Sequence, residues 1–173
     1  MDYKRFETKR LSIRPAIEED ASFYLELLNS PKWLKYIGER NVKTEEDART
    51  YIQEKMMPQL ERLGYSNYTI IRKQDDQKIG CCGLYDREGM EGIDIGFALL
   101  AKYEKRGYAL EAVSVIKEAA INEFGISQLK AITTKENVAS QKLLKKLGLS
   151  YVGPIKVLND PEELMLYELR MDS

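Results

Sequence analysis

The feature that most constrains this chain is an apolar strand that leads, through a loop with small residues, directly into a helix. Residues 93–100 have the pattern of a strand, residues 104–109 form the loop, and residues 110–124 carry apolar side chains on one helical face. The first turn of a helix leaves backbone N–H groups without partners and carries a partial positive charge. We therefore expect this loop to bind an anionic group such as a pyrophosphate.

The composition restricts the chemistry that such a chain can perform. Its 173 residues include no histidine and give a formal net charge of −1. The absence of histidine excludes Ser-His-Asp and Cys-His couples and removes the commonest zinc ligand, so we expect no metal site. The near-neutral charge provides no bulk attraction to nucleic acid. Any proton transfer must rely on carboxylates, tyrosine, lysine, serine or water.

Length and hydropathy predict one domain over residues 1–173. No apolar run reaches the roughly 18 residues of a membrane span, and the first residues lack the apolar core of a signal peptide. We therefore expect a cytoplasmic protein without membrane contact. The two cysteines, Cys81 and Cys82, are adjacent in an apolar run, so they cannot close a loop as a disulfide. We expect them to be small core residues.

The periodicity predicts about seven strands and four helices. Strands come first and then alternate with helices, which predicts an α+β (mixed α/β) fold with a mostly antiparallel, twisted sheet flanked by helices. Pro58 predicts a kink in the second helix. The predicted strands are residues 8–14, 66–72, 77–84, 93–100, 129–134, 150–157 and 164–171, and the predicted helices are residues 18–29, 44–63, 110–124 and 138–147.

A second motif follows the loop after one further strand. Asn137 is followed by Ser140 and, at the end of the same predicted helix, by Gly148. Together, and in this order, residues 104–109 and 137–148 resemble the GNAT superfamily of acyl-CoA N-acyltransferases. The closest branch is that of the ribosomal-protein N-terminal acetyltransferases (RimJ/RimL-like). The resemblance implies a single GNAT-type domain whose sheet is splayed at the CoA site.

The resemblance implies acetyl-CoA as co-substrate. Backbone N–H groups of the loop would hold the pyrophosphate, and the preceding strand would pair with the pantetheine arm, with the N–H of Ala98 polarising the acetyl carbonyl. The family's loop begins with Gln or Arg, whereas this chain has Glu104. Lys105 and Arg106 are either phosphate partners or ordinary surface cations. The implied cofactor-binding residues are Phe97, Ala98, Leu99, Glu104, Lys105, Arg106, Gly107, Tyr108, Ala109, Asn137 and Ser140.

Two side chains are implied in proton transfer. Asp94 aligns with a general base of many family members, although a solvated strand-end carboxylate or a water relay would also fit. An α-amine with a pKa near 7.7–8.0 is roughly one-tenth neutral at pH 7, so it needs no strong base. Leu144 stands where many members have a tyrosine acid, and Ser140 takes that role in this branch. Asn137 and Ser140 also fit a simple helix cap.

Five residues are implied in the binding of the acceptor. Trp33, Tyr36 and Arg40 lie where this family forms one wall of its acceptor site, although a core position is the commoner outcome for a tryptophan. Tyr85, after the cysteine-bearing strand, is a further candidate, together with Asp86. We expect an N-acetyltransferase for a primary amine, either a protein N-terminus or a small amine, acting as a monomer or homodimer. The alternatives are a non-catalytic, regulatory CoA-binding module and a scaffold that binds neither ligand.

Overall fold

The protein is built around one sheet, seen in a computed structural model that describes residues 2–158 and 160–169. Within these residues the sheet has eight strands in the order β1-β2-β3-β4-β5-β6-β8-β7. Neighbouring strands are antiparallel except β5 and β6. The strands are β1 Phe6–Glu7, β2 Leu11–Pro15, β3 Asn67–Arg72, β4 Gln77–Tyr85, β5 Ile93–Leu99, β6 Leu129–Thr133, β7 Leu149–Ile155 and β8 Leu164–Leu169.

Helices cover the faces of this sheet, and the described residues include six α-helices. None of the described helices combines the length and the apolar character that crossing a membrane requires. The segments are α1 Ala21–Leu28, α2 Pro31–Tyr36, α3 Glu45–Tyr51, α4 Met57–Leu63, α5 Tyr108–Asn122 and α6 Val138–Lys146.

The mixed α/β architecture is as predicted, but two details differ. The predicted strand at residues 8–14 is a short hairpin, because Thr8 N–H donates to the Leu11 carbonyl at 2.9 Å and so turns the chain between β1 and β2. Helix α2 is an additional element, because Pro31 starts a helix instead of only ending α1; proline suits the first helical turn, where its missing N–H is not needed. The last strand ends at Leu169 within the described residues, and positions 170 and 171 of the prediction lie outside them.

The predicted kink at Pro58 is instead a π-helical turn at Ile52–Met56, which joins α3 to α4. Pro58 lies in the first turn of α4 and has no N–H for the regular i→i−4 ladder, so a wider turn just before it is physically reasonable. Together α3, this turn and α4 correspond to the predicted helix at residues 44–63. Thr44 caps it, because its side chain accepts from the N–H of Asp47 at 3.0 Å.

The core lies between the sheet and its helices. Helix α5 packs against β2, β4 and β5, and α1 packs against α3. Cys81 and Cys82 are buried, free thiols, as predicted. Burial raises the pKa of Cys81 to about 12, so the thiol stays protonated and unreactive.

The sheet opens between β5 and β6. The two strands pair only at Ile93 with Leu129 and at Asp94 with Lys130. Both strands continue beyond these pairs, β5 to Leu99 and β6 to Thr133, so they diverge. This gap, which we call the wedge, is the predicted splay of the sheet, and it exposes one edge of β5.

Candidate active site

The wedge leads into a cleft of about 570 Å³ that reaches the loop before α5, and we call it the loop cleft. Its walls come from β5, from α2, from the loop before α5 and from the first turns of α6. Residues that the sequence assigned to a cofactor form much of its lining: Phe97, Ala98, Leu99, Glu104, Lys105, Gly107, Tyr108, Ala109, Asn137 and Ser140.

The loop is held in a conformation that directs backbone N–H groups outward. Lys105 and Gly107 have left-handed backbone conformations, with φ of 63° and 82°. The first intrahelical bond of α5 runs from Glu111 N–H to the Gly107 carbonyl, so the N–H groups at positions 108–110 have no partner within the helix. The loop therefore presents the N–H groups that an anion requires.

Arg10 supports the loop from behind. Its Nη1 donates to the carbonyl of Arg106 at 3.0 Å, and its Nε donates to Glu111 of α5 at 2.7 Å. A Cβ atom on Gly107 would lie 3.3 Å from Arg10 Nη2, so the glycine also makes room for this side chain. The loop is thus fixed to the turn between β1 and β2 before any ligand binds.

The charged side chains around the loop differ from the expected arrangement. Arg106 is exposed and does not line the loop cleft, so its contact with phosphate stays a prediction. Glu104 forms an ion pair with Lys32 of α2, and both residues line the cleft. Sequence reasoning missed Lys32, because no motif surrounds it and only the position of α2 brings it to the loop. The pair places a cation beside the residue that departs from the family pattern.

On the exposed edge of β5, the N–H of Ala98 does not face the wedge as expected. Ile93 N–H donates to Gln128 on the β6 side, whereas Leu100 N–H donates to Ile79 of β4. Backbone groups alternate along a strand, and β5 stays in continuous register with β4, so the Ala98 N–H points toward β4. The amides of Phe97 and Leu99 face the wedge instead. Phe97 is therefore better placed than Ala98 to polarise a bound carbonyl.

Helix α6 begins at the second motif. The side chain of Asn137 accepts from the N–H of Ser140 at 3.3 Å, so the capping interpretation is confirmed. In the described part of the chain, the Ser140 hydroxyl makes no hydrogen bond, and it remains available to a ligand. Leu144 is buried one turn further along the helix.

A second cleft of about 720 Å³, which we call the inner cleft, lies deeper along the wedge. All five predicted acceptor residues line it: Trp33, Tyr36, Arg40, Tyr85 and Asp86. Trp33 is partly buried: it packs against the hydrophobic core and also lines the cleft. The two clefts meet at six residues that line both: Trp33, Tyr36, Ile37, Phe97, Asn137 and Ser140.

Asp94 lies at the base of the wedge and lines the inner cleft. It is 2% exposed and forms an ion pair with Arg87 at 2.7 Å, so the interpretation as a solvated strand-end carboxylate is wrong. Burial raises the pKa of Asp94 to about 6, although Arg87 and the Ile132 backbone oppose the rise. Sequence reasoning missed Arg87, because the turn before β5 carries no recognisable motif. Across residues 2–158 and 160–169, no three His, Cys, Asp or Glu side chains are grouped to hold a metal ion.

A splayed mixed sheet with a left-handed loop before one helix and a capped second helix is the arrangement of CoA-dependent acyltransferases. The family model described as the acetyltransferase (GNAT) domain matches residues 10–150. The chain belongs to this family of N-acetyltransferases, which use acetyl-CoA and an amine acceptor.

Similar proteins agree with this assignment. The uncharacterized N-acetyltransferase YnaD of Bacillus subtilis (strain 168) is 30% identical over 149 residues, covering 86% of this chain and 84% of the relative. The acetyltransferase of Agrobacterium tumefaciens str. C58 has a TM-score of 0.82 at 20% identity, covering 99% and 96% of the two chains. RimL, the ribosomal L7/L12 alpha-N-protein acetyltransferase, was solved with coenzyme A; it has a TM-score of 0.79 at 17% identity, covering 95% and 97%. At these identities, the two solved structures support the fold alone.

Proposed function

We propose that this chain transfers an acetyl group from acetyl-CoA directly to a primary amine, either a protein N-terminus or a small amine, without a covalent enzyme intermediate. The observation that carries the proposal is the meeting of the loop cleft and the inner cleft at Phe97, Asn137 and Ser140. Residues 1–173 act as one catalytic domain. Because one chain supplies both clefts, the site is complete in a monomer or in each subunit of a homodimer.

The loop cleft would hold the cofactor. The N–H groups at positions 105–109 contact the pyrophosphate, and Lys32 adds positive charge beside it. Two features support this assignment: the left-handed loop and the position of α2 across the cleft. The free carbonyl oxygen of Phe97 and the free backbone groups of Leu99 pair with the pantetheine amides as an additional strand would. This pairing directs the thioester toward the inner cleft.

The reaction then needs a neutral amine and a polarised carbonyl. The ammonium loses one proton to Asp94, directly or through water, and the resulting lone pair attacks the thioester carbon. The Phe97 N–H stabilises the negative charge that develops on the carbonyl oxygen. Asp94 passes this first proton to solvent water. The new C–N bond forms as the C–S bond breaks, and the second amine proton then leaves through the regenerated carboxylate or through water.

Ser140 is proposed as the acid for the leaving thiolate. Its hydroxyl is free of other hydrogen bonds in the described part of the chain, and it lines both clefts. Donation of the hydroxyl proton to sulfur yields CoA thiol, and solvent restores the serine proton. Asn137 holds the first turn of α6 and thereby the position of Ser140.

The proposal is tested with acetyl-CoA and a panel of amines: Ser-Ala-Ala amide, its N-acetylated form, glycinamide, spermidine and Nα-acetyl-lysine. Release of CoA thiol and mass spectrometry of the product report transfer. We expect turnover of at least one free amine and none of the N-acetylated peptide. Binding of CoA without transfer to any amine would instead identify a non-catalytic CoA-binding module, and failure of CoA to bind would identify a scaffold.

A further inference from the structure

A chain of hydrogen-bonded side chains crosses the core from Asp20 to the inner cleft. Thr69 Oγ1 donates to Asp20 Oδ2 at 2.9 Å, and the Tyr24 and Thr69 hydroxyl oxygens are 2.8 Å apart. Asn67 Nδ2 donates to the Tyr24 hydroxyl at 2.7 Å, and the Tyr85 hydroxyl donates to Asn67 Oδ1 at 2.6 Å. The first four members are at most 5% exposed. Only the end at Asn67 and Tyr85 reaches a cleft.

The charge of Asp20 gives this chain a single direction. Burial opposes ionisation of Asp20, but hydrogen bonds from Arg14, Lys78 and the Ile17 N–H outweigh it and lower the pKa to about 2. A carboxylate only accepts, so Thr69 must donate to it, and Tyr24 must then donate to Thr69. The Tyr24 oxygen therefore accepts from the amide nitrogen of Asn67.

The direction of the chain determines how Tyr85 meets the inner cleft. Since the Asn67 amide nitrogen faces Tyr24, its carbonyl oxygen faces Tyr85 and takes the only hydroxyl proton of that tyrosine. Burial raises the pKa of Tyr85 well above its usual range, so the hydroxyl keeps this proton. The Tyr85 oxygen is left as a hydrogen-bond acceptor at the cleft, and it is a poor donor toward any ligand there.

Two glycines make the space in which the Tyr85 ring lies. Gly83 of β4 and Gly96 of β5 are directly paired across the strands. A Cβ atom on Gly83 would lie 2.7 Å from the Tyr85 ring and hydroxyl, and a Cβ atom on Gly96 would lie 3.1 Å from the ring. That Cβ atom would also lie 2.5 Å from the Ser66 carbonyl oxygen, so both the neighbouring backbone and the Tyr85 ring require glycine at this position.

Tyr85 and Asp94 are also paired across β4 and β5. Paired residues project from the same face with Cβ atoms about 5 Å apart, and both residues line the inner cleft. A neutral oxygen that only accepts, in a cleft that a carboxylate also lines, matches the N–H groups of an ammonium ion and not an anionic or carbonyl group.

We propose that the Tyr85 hydroxyl oxygen accepts one N–H of the acceptor amine and so orients the amine in the cleft that Asp94 also lines. The inference rests on the proposed acetyl transfer and deepens it. A primary amine that has lost one proton and points its lone pair at the thioester still has two N–H bonds, and one of them is given to Tyr85. Tyr85 is a binding residue, whereas Tyr24, Thr69 and Asp20 position it.

The test measures steady-state kinetics of the panel amine with the highest wild-type kcat/KM. Tyr85→Phe keeps the ring on its glycines and removes only the hydroxyl. We expect its KM for the amine to rise about 10-fold, with kcat within about threefold and an unchanged KM for acetyl-CoA. Tyr24→Phe keeps Tyr85 but removes the group that orients Asn67, so a smaller rise of about threefold is expected.

Tyr68→Phe is the matched control. Its hydroxyl is buried without a hydrogen-bond partner in the described part of the chain, and it lines neither cleft. Its amine KM should equal that of the wild type. An unchanged amine KM in Tyr85→Phe, an equal rise in Tyr68→Phe, or a parallel rise in the KM for acetyl-CoA overturns the inference and leaves acetyl transfer intact. Absence of wild-type turnover with every amine overturns both proposals.

Discussion

At the scale of single residues, environment decides what each polar group does. Asp94 is an ordinary aspartate in sequence, but it is buried at the point where β5 and β6 separate, beside Arg87. Removal from water favours the protonated carboxyl, and the guanidinium only partly compensates. A carboxyl with a pKa of about 6 is ionised at neutral pH and still basic enough to take a proton from an amine.

The pH dependence of the reaction follows from this raised pKa. The ionised form of Asp94 is the base, so kcat/KM for the amine should fall about 10-fold per pH unit below about pH 6. Asp94→Asn should lower the rate at neutral pH and abolish this acidic limb of the pH profile. Only the titration of the amine near pH 8 should then remain. Glu46→Gln, at an exposed position in α3, should keep both limbs. A limb near pH 6 that persists in Asp94→Asn would assign it to another group.

Ser140 allows a second prediction at this scale. Ser140→Ala keeps the N–H that Asn137 caps but removes the proposed acid. We expect kcat to fall by about 100-fold with little change in the KM for acetyl-CoA, because the loss acts in the transition state. A thioester with a better leaving group should recover part of the rate. An unchanged kcat would exclude Ser140 as the acid.

At the scale of secondary-structure elements, the periodicity of apolar residues predicted most strands and helices but not the points at which they are interrupted. The meander of β3, β4 and β5, the amphipathic α5 and the capped α6 follow from local patterns and were predicted near their observed bounds. The hairpin at Thr8, helix α2 and the π-helical turn were not predicted. Each depends on one or two residues whose preferences allow several conformations, so packing against the rest of the fold selects among them.

Helix α2 carries a prediction for cofactor binding. Lys32 contacts the loop by forming an ion pair with Glu104. Lys32→Ala should therefore remove positive charge from the proposed pyrophosphate site. We expect the KM for acetyl-CoA to rise by about three- to tenfold, corresponding to about 1 kcal/mol, with kcat nearly unchanged. Lys35→Ala on the same helix is the control, because Lys35 lies outside both clefts. Equal effects of the two substitutions would indicate a general loss of charge.

At the scale of the whole molecule, the buried polar chain links stability to the site. Asp20 connects α1 to β2 and β4 through Arg14 and Lys78, and its chain of hydrogen bonds ends in the inner cleft. The same carboxylate therefore stabilises the fold and orients Tyr85.

The stability of the fold should reflect this carboxylate. The folded pKa of Asp20 is about 2, below its ordinary value of 3.8, so its contribution is complete above about pH 4 and is lost as the pH falls toward 2. Asp20→Asn should lower the free energy of unfolding at pH 7 by about 3 kcal/mol, because it leaves Arg14 and Lys78 without a counter-charge. Urea denaturation between pH 7 and 3 should show the difference from wild type shrinking as the pH falls.

Asp76→Asn is the matched control for that experiment. Asp76 lies in the exposed turn between β3 and β4 with a φ of 56°, a conformation that asparagine also tolerates. Its stability should stay within about 0.5 kcal/mol of the wild type at every pH. A difference between Asp20→Asn and wild type that is constant with pH would show that the carboxylate charge does not contribute.

The sequence by itself determined the family, the loop before α5, the cap of α6 and most strands, because these depend on the order and spacing of neighbouring residues. Only the tertiary structure decided which groups meet in the site. The pairing of Lys32 with Glu104 and of Arg87 with Asp94, the amide of Phe97 in the wedge, and the chain that ends at Tyr85 all depend on strand register and helix placement. Local preferences do not encode such distances between remote residues; the packing of the whole sheet and its helices determines them.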